Sequence, residues 1–287
     1  MYVAKHRGKG AVTAFEPAMH EALVQRVALD SALRGALALG QLRLAYQPLV
    51  DLATGDLSGF EALLRWRHPE YGDVPPAVLI PRAEAMGLIG SLGSWVLGEA
   101  TRQAVRFRAA HRSLEDLTMS VNLSVDQLVD PSLTTTVTAA LAAAGLAPEH
   151  LTLEITESVA MTEAGLPALE VLHALGVPLA LDDFGTGFSS LGRLHSLPIS
   201  IVKIDRSFMG AVEDGPAPLV SATIAMTKAL GLRTVAEGVE TGTQAAFLRA
   251  HGCDAAQGYL FGRPAAAAPT EALLERDGFR TFAVAAQ

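Results

Sequence analysis

From residue 76 onward the sequence repeats one pattern: a stretch with apolar residues at helical spacing, then a short β-like run. Helical sequence at 76–87 and 92–110 leads to a strand at 117–123, and helix 131–144 leads to a strand at 151–155. Helix 165–175 leads to 177–182, a short helix near 189–195 to 199–204, helix 217–230 to 233–237, and helix 242–251 to 254–257. Strands that alternate with helices form parallel sheets, and alternation sustained this long favours a closed α/β barrel of the (β/α)8 type over an open sheet. Two further strands come first, at 42–52 and 57–66, separated only by Ala53-Thr54-Gly55-Asp56. A parallel crossover needs a dozen residues or more, so these two strands must be antiparallel. A helix is predicted ahead of them, from Glu16 to about Leu39, on the spacing of Leu23, Val27, Leu33 and Leu37, with Gly40 placed to end it.

Composition excludes several classes. Half of the 287 residues are hydrophobic and 18% are charged, enough for a sizeable core. Lys plus Arg number 22 against 30 Asp plus Glu, a net charge of −8, which argues against a DNA or RNA duplex as the partner. A small anionic ligand remains compatible if cations mediate. The one cysteine, Cys253, permits neither an internal disulfide nor a thiolate metal cluster and is read as core, as is Trp95; a cytoplasmic setting is expected. No apolar run approaches the ~18 residues of a membrane span, so no membrane contact is expected from this segment. The start, Met1 to Arg7, lacks the apolar stretch of a secretory signal.

In such a barrel, polar residues at the C-terminal strand ends mark the active site. Nearly every strand has one: Glu61, with Arg65 on the same face; Asn122; Glu154, with Glu157 beyond it; Asp182-Asp183; Lys203 and Asp205; Glu237; and Gln257. Taken singly, each is more often a solvated rim residue, a cap or a turn. Together, six carboxylates (Glu61, Glu154, Asp182, Asp183, Asp205, Glu237) meet two cations at one mouth, an excess of four negative charges. Unpaired, they would repel or take up protons. Divalent cations resolve the conflict, and oxygen donors without a Cys or His cluster suit Mg2+ or Mn2+. Adjacent aspartates allow one carboxylate to bridge two ions, an arrangement that activates water and clamps a phosphoryl oxygen. Phosphodiester hydrolysis is the natural chemistry. Gly185-Thr186-Gly187 lacks the third glycine of a dinucleotide fingerprint, and Gly8-Lys9-Gly10 is not a P-loop.

The runs Glu61-Ala62-Leu63, Glu154-Ile155-Thr156-Glu157, Asp182-Asp183-Phe184-Gly185-Thr186-Gly187, Lys203-Ile204-Asp205, Ala236-Glu237-Gly238-Val239-Glu240 and Gln257-Gly258-Tyr259, with Asn122, resemble the EAL domain over about residues 25–275. The resemblance implies a modified TIM barrel with an antiparallel first strand, in agreement with the short first connection. It implies hydrolysis of one phosphodiester of cyclic di-GMP to linear pGpG with two divalent cations, Mg2+ or Mn2+. By resemblance, Glu61, Asn122, Glu154 and Asp182 hold the first metal. Asp182 bridges to the second, with Asp183 and Glu237 beside it and Asp205 in its outer sphere. Lys203 orients the attacking water or steadies the phosphate charge, and Glu237 is a candidate general base. Arg65 and Gln257 match contacts to phosphate and guanine, Gln47 and Leu63 are further substrate-binding positions, and Glu157 anchors the loop 183–191. Phe188 stands where the family often has Tyr.

Residues 1–20, with Met1-Tyr2-Val3-Ala4-Lys5 and Phe15-Glu16-Pro17, resemble the tail of a GGDEF domain and its linker. The expected organisation is therefore such a tail over 1–20 and an EAL domain over 21–287, cut from a longer GGDEF–EAL protein that can be membrane-anchored elsewhere. A homodimer is expected by resemblance. The alternative function is a cyclic di-GMP receptor that binds without cutting. Receptors of this fold have usually lost one or more of the carboxylates, and this sequence has lost none.

Overall fold

The computed structural model describes residues 17–110, 112–160, 163–185, 194, 196–213 and 215–277. The predicted short helix near 189–195 and most of the loop 183–191 lie outside the described residues, as does the GGDEF-like tail up to residue 16.

The chain divides into two compact units, residues 1–42 with 66–88 and residues 43–65 with 89–287. In the smaller unit, helix α1 spans Pro17–Ala36 and reaches residues expected to be tail. Its buried face is Leu29, Leu33 and Ala36, at i, i+4 and i+7. Val27 and Leu37, expected on that face, are 61% and 38% exposed: Val27, two residues before Leu29, points roughly 160° away from it, and Leu37 follows the end of the helix. The chain turns after Ala36 through Gly40, at φ 64°. Gln41 continues this unit by accepting a hydrogen bond from the Trp66 indole at 3.2 Å. A strand absent from the sequence reading, β3 (Gly72–Val74), pairs antiparallel with the end of β2 (Leu57–His68) through Trp66↔Val74. Three residues are too few to show a periodicity. Helix α2 (Pro76–Ala85) closes the unit, with Pro at its first turn, where the missing N–H costs nothing.

The larger unit is the barrel. Strand β1 (Leu42–Asp51) is followed by β2, then by α3 (Ile89–Ala110), β4 (Thr118–Asn122), α4 (Val125–Leu128), α5 (Leu133–Ala144) and β5 (Leu151–Thr156). Next come α6 (Glu157–Ala160), α7 (Leu166–Ala174), β6 (Leu179–Phe184), β7 (Ile201–Ile204), α8 (Met209–Glu213) and α9 (Pro218–Ala229). Strands β8 (Arg233–Ala236) and β9 (Ala255–Gln257) flank α10 (Gly242–His251), and α11 (Ala267–Asp277) follows. The sheet order is β1-β9-β8-β7-β6-β5-β4-β2, and β1 also pairs with β2, which closes the ring. β1 is antiparallel to β9, whereas β2, β4 and every strand through β9 pair in parallel. The expected barrel with an antiparallel first strand is what the chain forms.

Period two along the strands separates core from site. Phe60, Met119, Val121, Leu153, Leu181 and Val202 point outward into the main hydrophobic cluster, together with Leu97, Phe107, Val137 and Leu172 of the covering helices. A second cluster sets Ile204 and Ala236 against Val220, Ile224 and Leu248, with Cys253 buried among them as expected. Trp95 packs against the main cluster but is only partly buried. The alternate residues are left facing the barrel axis.

Candidate active site

Those inward residues include Glu61, midway along the long strand β2, and Asn122, Glu154, Asp182, Lys203 and Gln257, near the C-terminal ends of five other strands. The register aligns them: Asn122 lies opposite Glu154, and Asp182 opposite Thr156. Lys203 is 1% exposed and sits among four carboxylates. Its Nζ is 2.6 Å from Glu154 Oε2, 2.6 Å from Glu237 Oε1, 3.1 Å from Asp182 Oδ1 and 3.8 Å from Glu61 Oε2. Asn122 Nδ2 donates to Glu61 Oε1 at 2.7 Å, and Gln257 Nε2 donates to Glu61 Oε2 at 2.6 Å and to Glu237 Oε1 at 3.4 Å. By resemblance Gln257 contacts guanine; in the structure its amide also holds two of the carboxylates.

Asp183 breaks the strand alternation. It is the one non-glycine residue with positive φ (55°) among the described residues, at a register shift in β6. In a regular strand, consecutive side chains face opposite sides. The left-handed turn at Asp183 brings its carboxylate back toward its neighbour's: ligand oxygens of Asp182, Asp183 and Glu237 all lie within 4.8 Å of one another. Glu157 is buried, and its Oε2 accepts from the Gly185 backbone N–H at 3.4 Å, at the entrance to the loop it was expected to anchor. Gly185 has φ 95°, and a Cβ there would sit 2.9 Å from the Phe208 ring.

The other sequence-marked positions lie less centrally. Asp205 caps the following turn by accepting from Ser207 N at 3.0 Å, and its charge acts on Asp183. Arg65 is half-buried and donates from Nη1 to Leu64 O at 2.9 Å. Gln47 donates to Gly262 O at 3.4 Å, and Leu63 is half-buried two residues beyond Glu61 on β2.

The electrostatics register an excess of negative charge. Burial, then Asp182 and Glu61, push the Glu237 carboxyl up to about 7 against the pull of Lys203. Burial raises Glu154 well above the ordinary carboxylate range, and burial with Asp182 and Asp205 raises Asp183. Glu61 goes the other way: burial is outweighed by the Lys203 charge and by hydrogen bonds, chiefly from Gln257 and Asn122. Lys203, despite burial, is held well above its ordinary value by Glu154, Glu61, Glu237 and Asp182. One buried cation therefore serves five carboxylates, counting Asp183. Asp182 Oδ1 is buried and has only the Lys203 ammonium, at 3.1 Å, beside it, and Gln257 Oε1 is buried without a hydrogen bond. Hard oxygen donors, surplus negative charge and the clustered oxygens of Asp182, Asp183 and Glu237 fit divalent cations of the Mg2+ or Mn2+ type.

The chain is similar to known proteins over most of its length. The sequence model of the family described as "EAL domain" matches residues 30–264. The chain is 44% identical over 278 residues to the bifunctional diguanylate cyclase/cyclic di-GMP phosphodiesterase MucR of Pseudomonas aeruginosa, covering 96% of this chain and 40% of MucR. It is 42% identical over 281 residues to the cyclic di-GMP phosphodiesterase NbdA of the same organism, covering 96% of this chain and 35% of NbdA. The chain thus spans well under half the length of these curated relatives. Among solved structures, it matches the MucR phosphodiesterase in complex with c-di-GMP at TM-score 0.78 and 45% identity, over 84% of this chain and 98% of that one. It matches the EAL enzyme Bd1971, bound to cAMP and cyclic di-GMP, at TM-score 0.82 and 30% identity, over 88% of this chain and 70% of that one. No helix among the described residues is long and apolar enough to cross a membrane. On the fold, the matched family model and the shared sequence, the chain belongs to the EAL domain family.

Proposed function

We propose that this domain is a hydrolase that opens one phosphodiester bond of cyclic di-GMP to give linear pGpG, using two divalent cations, Mg2+ or Mn2+. The observation that carries the reading is the convergence of five carboxylates, Asn122 and a buried lysine at the C-terminal mouth of an EAL-family barrel. Glu61, Asn122, Glu154 and Asp182 would hold one cation; Asp182, Asp183 and Glu237, with Asp205 behind, the other. Bound there, the cations supply Lewis-acid activation of water and of the phosphoryl oxygens. Lys203, fixed between Glu154 and Glu237, orients the attacking water and offsets charge developing on the phosphate. With cationic charge beside it, Glu237 is ionised at neutral pH and can take the water's proton. Arg65 grips phosphate, Gln47 and Leu63 line the substrate, and Gln257 keeps Glu61 and Glu237 in place while its unpartnered Oε1 is available to a guanine N–H.

Incubation of the protein with cyclic di-GMP and Mg2+ or Mn2+, followed by chromatography, tests this. Appearance of pGpG supports it; binding without product would instead make the domain a receptor. The same reading sets the domain in the cytoplasm, joins it to a GGDEF module in the parent chain, and pairs it as a homodimer.

A further inference from the structure

Directly beneath the functional ring, two residues earlier on four of the strands, the barrel is lined by small side chains. Ser120 lies below Asn122, Thr152 below Glu154, Ala180 below Asp182 and Ala255 below Gln257, whereas Ile201, Val235, Leu49 and Leu57 are larger apolar members of the lining. Barrels of this type normally fill this level with bulky branched side chains. Here they leave a cavity of about 290 Å³. Its walls include the Glu154–Lys203 pair above, and its mouth, at the N-terminal end of the barrel, carries the exposed charges of Asp116, Glu149 and Arg233.

We propose that this space is a hydrated chamber: a binding site for a cluster of ordered water molecules, reaching from the N-terminal mouth to the rear of the Glu154–Lys203 pair. Three observations support it. The volume accommodates on the order of ten waters at about 30 Å³ each. Ser120 and Thr152 are each only 3% exposed and line the cavity, yet neither hydroxyl is among the buried polar atoms left without a partner, so the cavity is the space through which water reaches them. Buried hydroxyls are seldom left unmatched, and water in a polar cavity is the ordinary partner. Finally, the charged mouth offers an entry path that an enclosed apolar void lacks. Water behind the pair solvates the lysine from below and lets it exchange carboxylate partners without passing through a dry interior.

The test uses the whole chain with neither substrate nor added cation, so its outcome is independent of whether the domain hydrolyses cyclic di-GMP. Magnetisation transfer from long-lived water to backbone amides is measured by NMR at Thr152, Ala180 and Val235. Wild type should show transfer at these amides, and Thr152→Val, a near-isosteric change, should reduce it and lower Tm by several degrees. Ser120→Ala serves as the second variant if Thr152→Val folds poorly. The proposal is overturned if wild type shows no transfer at these amides. It is overturned equally if transfer is undiminished in a folded variant, or if losing the hydroxyl raises Tm, as replacing an unmatched hydroxyl in a dry void would.

Discussion

Lys203 is the residue on which the site turns. Its ammonium lies within 4 Å of four carboxylates, three of them buried and Glu237 half-buried. Lys203→Met should therefore lower stability by about 3–5 kcal/mol, the usual cost of breaking a buried ion pair from one side. Thermal melts followed by circular dichroism in chelator check this, and added Mg2+ should recover part of the loss. Turnover should fall mainly through kcat. Glu61→Ala should lose on the order of 10²–10³-fold in turnover, with an unchanged circular dichroism spectrum. A pH prediction follows from Glu237. A carboxyl raised from 4.5 to about 7 on folding binds its proton more tightly folded than unfolded. Its stabilising effect is complete below pH 4.5 and is lost as pH rises to about 7 and beyond. Glu154 and Asp183 shift in the same direction. The low-lying Glu61 acts only below its ordinary range, and Lys203 only in strong alkali. Melts in chelator should thus show Tm falling between pH 5 and 7.5, with the largest rescue by Mg2+ at the upper end.

At the scale of elements, the strand ends and the loops that leave them set the geometry. Glu157→Ala removes the acceptor for Gly185 N and frees the segment that carries Asp183. Activity titrated against Mg2+ should shift to higher concentrations, and superimposable curves would reduce Glu157 to a rim carboxylate. Gly258 offers a second probe, because a Cβ there would lie 2.1 Å from Val239 O and 2.3 Å from Val239 N. Gly258→Ala should displace the end of β9, pull Gln257 off Glu61 and depress turnover without touching a carboxylate. The sequence shows the strands well because period two and apolar runs are local signals. It shows the carboxylates well because charge at a strand end conflicts with burial. It does not show β3, which is too short for a period, nor the left-handed backbone at Asp183, which depends on the register shift in β6. The buried phase of α1 also escapes it: Val27 and Leu37 fit a helical spacing as well as Leu29 and Ala36 do, and only packing chooses between them.

For the whole molecule, the proposed chemistry predicts that EDTA abolishes hydrolysis, that Mg2+ or Mn2+ restores it, and that Ca2+ supports little turnover because its looser coordination misplaces the water. Product measured by chromatography under each condition checks this; full activity in chelator would end the two-cation reading. Barrel closure was readable from the alternation of elements, because each βα unit must cover one stretch of sheet. The small residues beneath the site were present in the sequence too, two residues before Asn122, Glu154, Asp182 and Gln257, but small residues carry no periodic signal and their meaning appears only once the strands are joined in a circle. The lysine at the centre of the carboxylates has one more consequence. It is a cation that cannot diffuse away, a built-in placeholder tethered at the position where mobile ions would gather. A domain made this way need not lose its shape when metal is scarce: it can wait folded and silent, and metal supply then governs its activity rather than its survival.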